Sequence, residues 1–112
     1  MEIYYQNFQL QGLCNSDKEL KRKFGLANAK HIKRRLVQLR VFANLGDLLG
    51  SRLASCHQLT KDRAGQFAVN LSGGFRLVFD PADDPILLNP DGSIDAKNVA
   101  KIRILEIIDY HY

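Results

Sequence analysis

No apolar run in this chain approaches the roughly 18 residues that a membrane-crossing helix needs, so no membrane span is expected. The opening residues, Met1 to Gly12, have neither a basic start nor a long apolar stretch, which argues against a secretory leader and for the cytoplasm. Cysteine is scarce. Cys14 and Cys56 stand far apart with no C-x-x-C spacing, and two free thiols are expected rather than a disulfide. Histidine is scarce as well: His31, His57 and His111 make no ligand-like cluster with the cysteines, so no metal site and no other cofactor are expected. Internal repeats and low-complexity segments are also absent. Hydrophobic residues at 46% and charged residues at 25% fit one globular domain spanning 1–112.

What is present in excess is positive charge, unevenly placed. Residues 1–79 hold 13 Lys and Arg against 5 Asp and Glu, whereas residues 80–112 hold 3 against 7. A basic body of this kind either meets a polyanion, through phosphate neutralisation and counterion release, or is simply solvated. The acidic part centres on residues 80–98, which contain all three prolines and five aspartates. That stretch reads as an acidic surface insertion with a turn at Pro90-Asp91-Gly92.

The periodicity predicts strand, helices, then strands. Glu2-Ile3-Tyr4-Tyr5 is a short β-favouring run. Ser16 and Glu19 have capping-box spacing, Leu20 and Phe24 share a face, and Gly25 ends a short helix. Ala29, Ile32, Leu36, Leu39 and Ala43 form one apolar stripe on a second helix, so the pair predicts an αα-hairpin. Gly46 and Gly50 bracket a further helical turn. Phe67–Leu71 and Phe75–Phe79, joined by Ser72-Gly73-Gly74, predict a β-hairpin. A last strand over Val99–Ile108 would place Ile102, Ile104, Glu106 and Ile108 on one face and Lys101, Arg103, Leu105 and Ile107 on the other. The fold class is therefore α+β, with the helical hairpin packed on one side of a mainly antiparallel, twisted sheet of about four strands.

Four groups of residues can carry chemistry. Asp109, Tyr110 and His111 put a carboxylate, a phenol and an imidazole at the end of a strand. Cutting RNA without a metal needs a base for the 2′-OH, an acid for the leaving 5′-oxygen and cations for the phosphorane. His111 can take either proton role near neutral pH, and Tyr110 can donate a proton or stack on a base. The plain alternative is a solvated terminus. Arg76 sits mid-strand, where a charge needs a partner: either a phosphate, clamped in bidentate fashion, or a structural carboxylate such as Asp109 or Glu106. Lys61 and Arg63 flank Asp62 in a loop that either grips a phosphodiester or is a solvated turn. Lys33 and Arg34 belong to a basic helix surface that is either solvated or apposed to RNA. His57 adjoins Cys56, but neighbouring side chains point apart, which excludes a thiol–imidazole enzyme.

Taken together, these segments resemble the HigB, or killer-protein, group of the RelE/ParE superfamily of bacterial toxins. The resemblance is carried by His57 to Val69, by Gly73 to Phe79, by Ile108-Asp109-Tyr110-His111 and by Leu45-Gly46-Asp47-Leu48. It implies a RelE-like fold and a ribosome-dependent mRNA endonuclease of a type II toxin–antitoxin system. It assigns Asp109, Tyr110, His111 and Arg76 to catalysis and Arg63 to the phosphate-gripping loop; Lys61, beside it, and Lys33 and Arg34, by their charge, are expected to meet RNA. It implies as partners the ribosome, mRNA and a HigA-like helix-turn-helix antitoxin through which the complex would bind operator DNA. This chain departs from the family pattern in having Thr60 where a lysine is usual, with Lys61 one place later, and in the length of its 80–98 segment. Two other readings remain: a ParE-like gyrase inhibitor, which would have no use for the Asp109-Tyr110-His111 terminus, and a non-catalytic regulatory partner of a helix-turn-helix protein.

Overall fold

Three short polar side chains start the helices. Asn7 accepts a hydrogen bond from the Leu10 amide (2.8 Å), Ser16 from Glu19 (3.2 Å) and Asn44 from Asp47 (2.9 Å). Each satisfies an amide that the first turn leaves without a partner. The helices they open are α1 (Phe8–Cys14), α2 (Asp17–Val41) and α3 (Leu45–Ser51). The computed structural model describes residues 1–109.

α2 is not straight. Gly25 has φ 84° and ψ 167° and interrupts the helical backbone. The Lys33 ammonium lies 2.8 Å from the Asp17 carboxylate. Sixteen residues of unbroken helix would separate those two positions by about 24 Å. The contact therefore requires the chain to reverse at Gly25, eight residues from each partner, and this reversal is the expected αα-hairpin. The apolar stripe faces inward as expected at Ala29, Ile32, Leu36 and Leu39, all buried. Ala43 is a correction: it is exposed, because α2 ends at Val41. The Met1 ammonium donates to the carbonyls of Leu39, Arg40 and Phe42 and ties the start of the chain to that helix end. α1 was not expected from the sequence. Its residues Phe8-Gln9-Leu10-Gln11 alternate apolar and polar in a strand-like way, and Gly12 lowers its helix propensity.

The sheet has five strands: β1 (Glu2–Tyr5), β2 (His57–Gln58), β3 (Phe67–Asn70), β4 (Phe75–Pro81) and β5 (Lys101–Asp109). Their order is β1-β5-β4-β3-β2; β1 pairs parallel with β5, and every other pairing is antiparallel. The α+β class is thus as expected, with one strand more than expected, since β2 is two residues long and leaves no periodic trace. Phe67, Val69, Leu77, Phe79, Ile102 and Ile104 meet the α2 stripe in one core, with the Phe67 and Phe79 rings stacked at 5.8 Å.

β5 departs from simple alternation. Phe79 pairs with Ile104 but Val78 pairs with Glu106, so Leu105 is the extra residue of a β-bulge. Ile107, not Ile108, consequently packs against the core beside Ile102 and Ile104. Glu106 and Ile108 pass to the opposite face, which corrects the expected grouping. The 80–98 segment begins inside the sheet, since β4 continues through Pro81. Its tip is a turn in which the Gly92 amide donates to Asn89 O (2.9 Å), closed by a Leu88–Ile94 bridge.

Cys14 and Cys56 are buried free thiols, and burial pushes them up to about 11 and about 12 respectively. Neither should react with a thiol reagent at pH 8 in the folded protein, and both should react in guanidinium; fast labelling of the native chain would contradict this burial. Gly25→Ala should lower stability by more than about 1 kcal/mol, read as a drop in Tm. The added methyl meets no neighbour, so the cost is backbone strain alone.

Candidate nucleic-acid interface

A sheet covered by helices on one side leaves its other side for function. Strand alternation sends Arg76, Val78 and Asp80 of β4 away from the helices, opposite in direction to Phe75, Leu77 and Phe79. Cross-strand partners share a face, so one line across the sheet reads His57, Ala68, Val78, Glu106, and the next reads Asn70, Arg76, Ile108. Ala68 and Val78 are fully buried yet lie outside the helix-side core. They form a small apolar floor on the helix-free face.

Arg63 reaches onto this floor. It leaves a 3-10 turn at Lys61–Arg63, and its guanidinium contacts Glu106 at 2.7 Å and the Gln66 side-chain oxygen at 3.0 Å. Glu106 can hold it there only because the bulge turns Glu106 to this side. Arg76 is half-buried on the same face and donates to the Phe75 carbonyl at 3.1 Å. His57 is exposed, with Nδ1 2.8 Å from the Ser55 carbonyl. A carbonyl only accepts, so in the neutral ring Nδ1 carries the proton and Nε2 has the lone pair of a base.

The expected site residues separate into three sets. Arg63 and Arg76 share the helix-free face, with Lys61 exposed in the turn that launches Arg63. Lys33 and Arg34 belong to α2, which covers the other side. Lys33 is engaged with Asp17, and Arg34 lines an open cleft with Leu26, Ala27, Lys30 and His31. The structure does not bring them to Arg63 and Arg76. Asp109 ends β5 as the cross-strand partner of Phe75, on the face opposite Arg76. Tyr110 and His111 lie outside the described residues.

In the sequence, Glu106 is a candidate partner for Arg76, and His57 is set aside as a neighbour of Cys56; Glu106 instead holds Arg63, an arrangement hidden by the bulge, and His57 lies on this face. His57 could have been found by treating 57–69 as a hairpin instead of a loop, because the Leu59 amide donates to Gln66 O (2.8 Å) and closes it.

The half of the same face nearer β1 is differently charged. Arg103 makes two hydrogen bonds with Asp80, at 3.1 and 2.7 Å, which raise its pKa further. Lys101 lies 3.9 Å from Asp83, and the Tyr4 hydroxyl donates to Glu2 at 2.8 Å. Tyr4, Tyr5, Ala82, Lys101 and Arg103 line an open cleft of about 290 Å³. Among the described residues, no three His, Cys, Asp or Glu side chains are grouped to hold a metal ion, and no helix is long and apolar enough to cross a membrane.

No family model matches this chain, and no curated protein matches it. Among the solved structures that match is a YoeB/ParE toxin from Agrobacterium tumefaciens, 13% identical over 100% of both chains with a TM-score of 0.44. A likeness at that level assigns neither family nor activity.

The Arg63–Glu106 pair is about one-third exposed on each side. Glu106→Gln should therefore change stability by less than about 1 kcal/mol in urea denaturation. A loss of several kcal/mol would make the pair a structural element and not a held-out cation.

Proposed function

We propose that this chain is the toxin of a type II toxin–antitoxin system, a RelE/ParE-superfamily protein of the HigB kind that cuts mRNA on the ribosome. The observation that carries this reading is that Arg63, Arg76, Glu106 and His57 share the helix-free face of the sheet, with the Arg63–Glu106 pair at 2.7 Å. Two guanidiniums and an imidazole supply the cations and one of the two proton roles that metal-free transfer of an RNA phosphate needs. His57 Nε2 takes the proton of the 2′-OH. Arg76 and Arg63 hold the charge that grows on the phosphorane, with Glu106 fixing the Arg63 fork. Lys61 adds a phosphate contact from the same turn. The resemblance to HigB places Asp109, Tyr110 and His111 in the catalytic terminus, and His111 takes the second proton role.

Lys33 and Arg34, on the helical side, suit contacts to ribosomal RNA and not to the scissile strand. The expected antitoxin is a HigA-like helix-turn-helix protein that carries the complex to operator DNA, and the expected compartment is the cytoplasm. In this reading the cations of the sheet face orient the phosphate, and the ribosome bends the strand into line.

Overproduction should arrest translation, with mRNA cut only when ribosomes are present, as mapped by primer extension. Growth arrest with intact mRNA and damaged DNA would instead support the gyrase reading. His57→Ala and His111→Ala should each lower cleavage by about 10²–10⁴-fold while unfolding at nearly the wild-type temperature. Arg76→Ala should also abolish cleavage. A stable His57→Ala protein with full activity would remove the imidazole from the mechanism.

A further inference from the structure

The helix-free face continues past the Arg63–Glu106 pair onto β1. Alternation along β1 sends Ile3 and Tyr5 to the core and Glu2 and Tyr4 outward. Tyr4 is the cross-strand partner of Arg103, which is in turn the partner of Asp80, so one line across the face reads Tyr4, Arg103, Asp80. On β4 that line lies two residues from the one that carries Val78 and Glu106. One strand spacing and two residues of rise therefore separate the Tyr4 and Glu106 positions, about 8 Å. Two strand spacings and four residues of rise separate Tyr4 from Arg76, about 16 Å. A few nucleotides of RNA, held at Arg63 and Arg76, span that distance without leaving the sheet.

Tyr4 is 47% exposed, and among the described residues no other ring lies against it. Its hydroxyl donates to Glu2, two residues back on the same face, at 2.8 Å, which tethers the ring along the strand. Beside it, Arg103 donates two hydrogen bonds to the Asp80 carboxylate, at 3.1 and 2.7 Å. Those bonds lie in the plane of the guanidinium, so they fix the plane and leave its faces for stacking. Tyr4 and Arg103 line the same open cleft of about 290 Å³, together with Ala82 and Lys101. A tyrosine ring and a guanidinium plane are the two kinds of surface on which an unpaired base stacks. A base is uncharged, so this chemistry does not call for an unpaired cation.

We propose that Tyr4, flanked by the Arg103 plane, is a stacking subsite for an unpaired nucleobase of the same RNA strand whose phosphate meets Arg63 and Arg76. This rests on the reading that the helix-free face binds RNA, and it adds a base contact to a site built of phosphate contacts. The subsite holds the strand at a second point and so fixes the direction in which it crosses the sheet. Every base has a flat face, so the contribution is to affinity and register and not to a choice of sequence.

The test measures binding of a non-cleavable 2′-O-methyl hexanucleotide by fluorescence anisotropy. Stacking of one base on an aromatic ring is worth about a decade of affinity. Tyr4→Ala and Tyr4→Ile should therefore each weaken binding by about tenfold, and Tyr4→Phe, which keeps the ring, by less than about threefold. Arg103→Lys, which keeps the charge but loses the plane, should also weaken binding, by severalfold. Stacking releases no counterion, so Tyr4→Ala should leave the slope of log affinity against log salt unchanged, whereas Arg76→Ala should lower it by about 0.7. Replacing the bases one at a time by abasic sites should reveal a position at which wild type loses about tenfold and Tyr4→Ala loses nothing further. Wild-type affinity in Tyr4→Ala and Tyr4→Ile, or in Arg103→Lys, would overturn the proposal. So would a loss in Tyr4→Phe as large as that in Tyr4→Ala, or an abasic scan that is the same in both proteins. Tyr4→Ile keeps a β-favouring residue on the edge strand and decides the matter if Tyr4→Ala does not fold. Binding insensitive to Arg76→Ala would overturn the RNA-face reading itself, a different result from a missing stacking subsite.

Discussion

One unpaired residue, Leu105, decides which side chains of β5 meet the helices and which meet the open face. A strand alternates with period two, so a single inserted residue exchanges the two faces from that point on. Before the bulge, Ile102 and Ile104 fill the core while Lys101 and Arg103 point outward. Beyond it, Ile107 continues the core and Glu106 emerges beside Arg63. Without the bulge, Glu106 would point toward the helices, away from Arg63. The apolar core and the ionic arrangement of the open face thus depend on the same local irregularity.

The helical layer fixes that face from behind. Arg35 donates from Nε to the Asn70 carbonyl at 3.0 Å, and the buried Asn28 side chain accepts from the Ser72 amide at 2.9 Å. Both contacts hold the turn between β3 and β4 against α2, and Phe24 meets Phe75 edge-on at 5.9 Å. Arg76 follows directly on Phe75, so its backbone is set by packing on the far side of the sheet. Rigid support of this kind is what a charged group needs if it is to act on a phosphate without first being reorganised.

Much of the fold was legible in the sequence because its signals were long or strongly periodic. The stripe from Ala29 to Leu39, the Gly25 break, and the Phe67 and Phe75 strands all read directly. What was lost was short or irregular. α1 imitates a strand, β2 is two residues long, and the bulge leaves no mark in an apolar run that reads equally well in either register. The candidate site divides on the same line. Arg76 and Arg63 were visible as a cation in a strand and a cation in a loop. Glu106 was visible as a carboxylate but assigned to Arg76, and its pairing with Arg63 and the place of His57 on the face became visible only when strand pairing placed them. The helical cations Lys33 and Arg34 were grouped with Arg63 by charge alone, and charge does not say on which side of a sheet a residue lies.

The parallel pairing of β1 with β5 joins Glu2 to Lys101, almost the full span of the chain. Such a contact must close a loop of nearly a hundred residues before it returns any energy, and it raises the contact order of the whole fold. The αα-hairpin, closed by Asp17 and Lys33, needs only local chain and can form early during synthesis. β5, by contrast, follows every other strand along the chain, and it lies between β1 and β4 in the interior of the sheet. A nascent chain therefore has its helices well before it has a sheet, and it acquires the Arg63–Glu106 arrangement only once β5 is free to insert. The order of synthesis keeps the open face unassembled until β5 has been made.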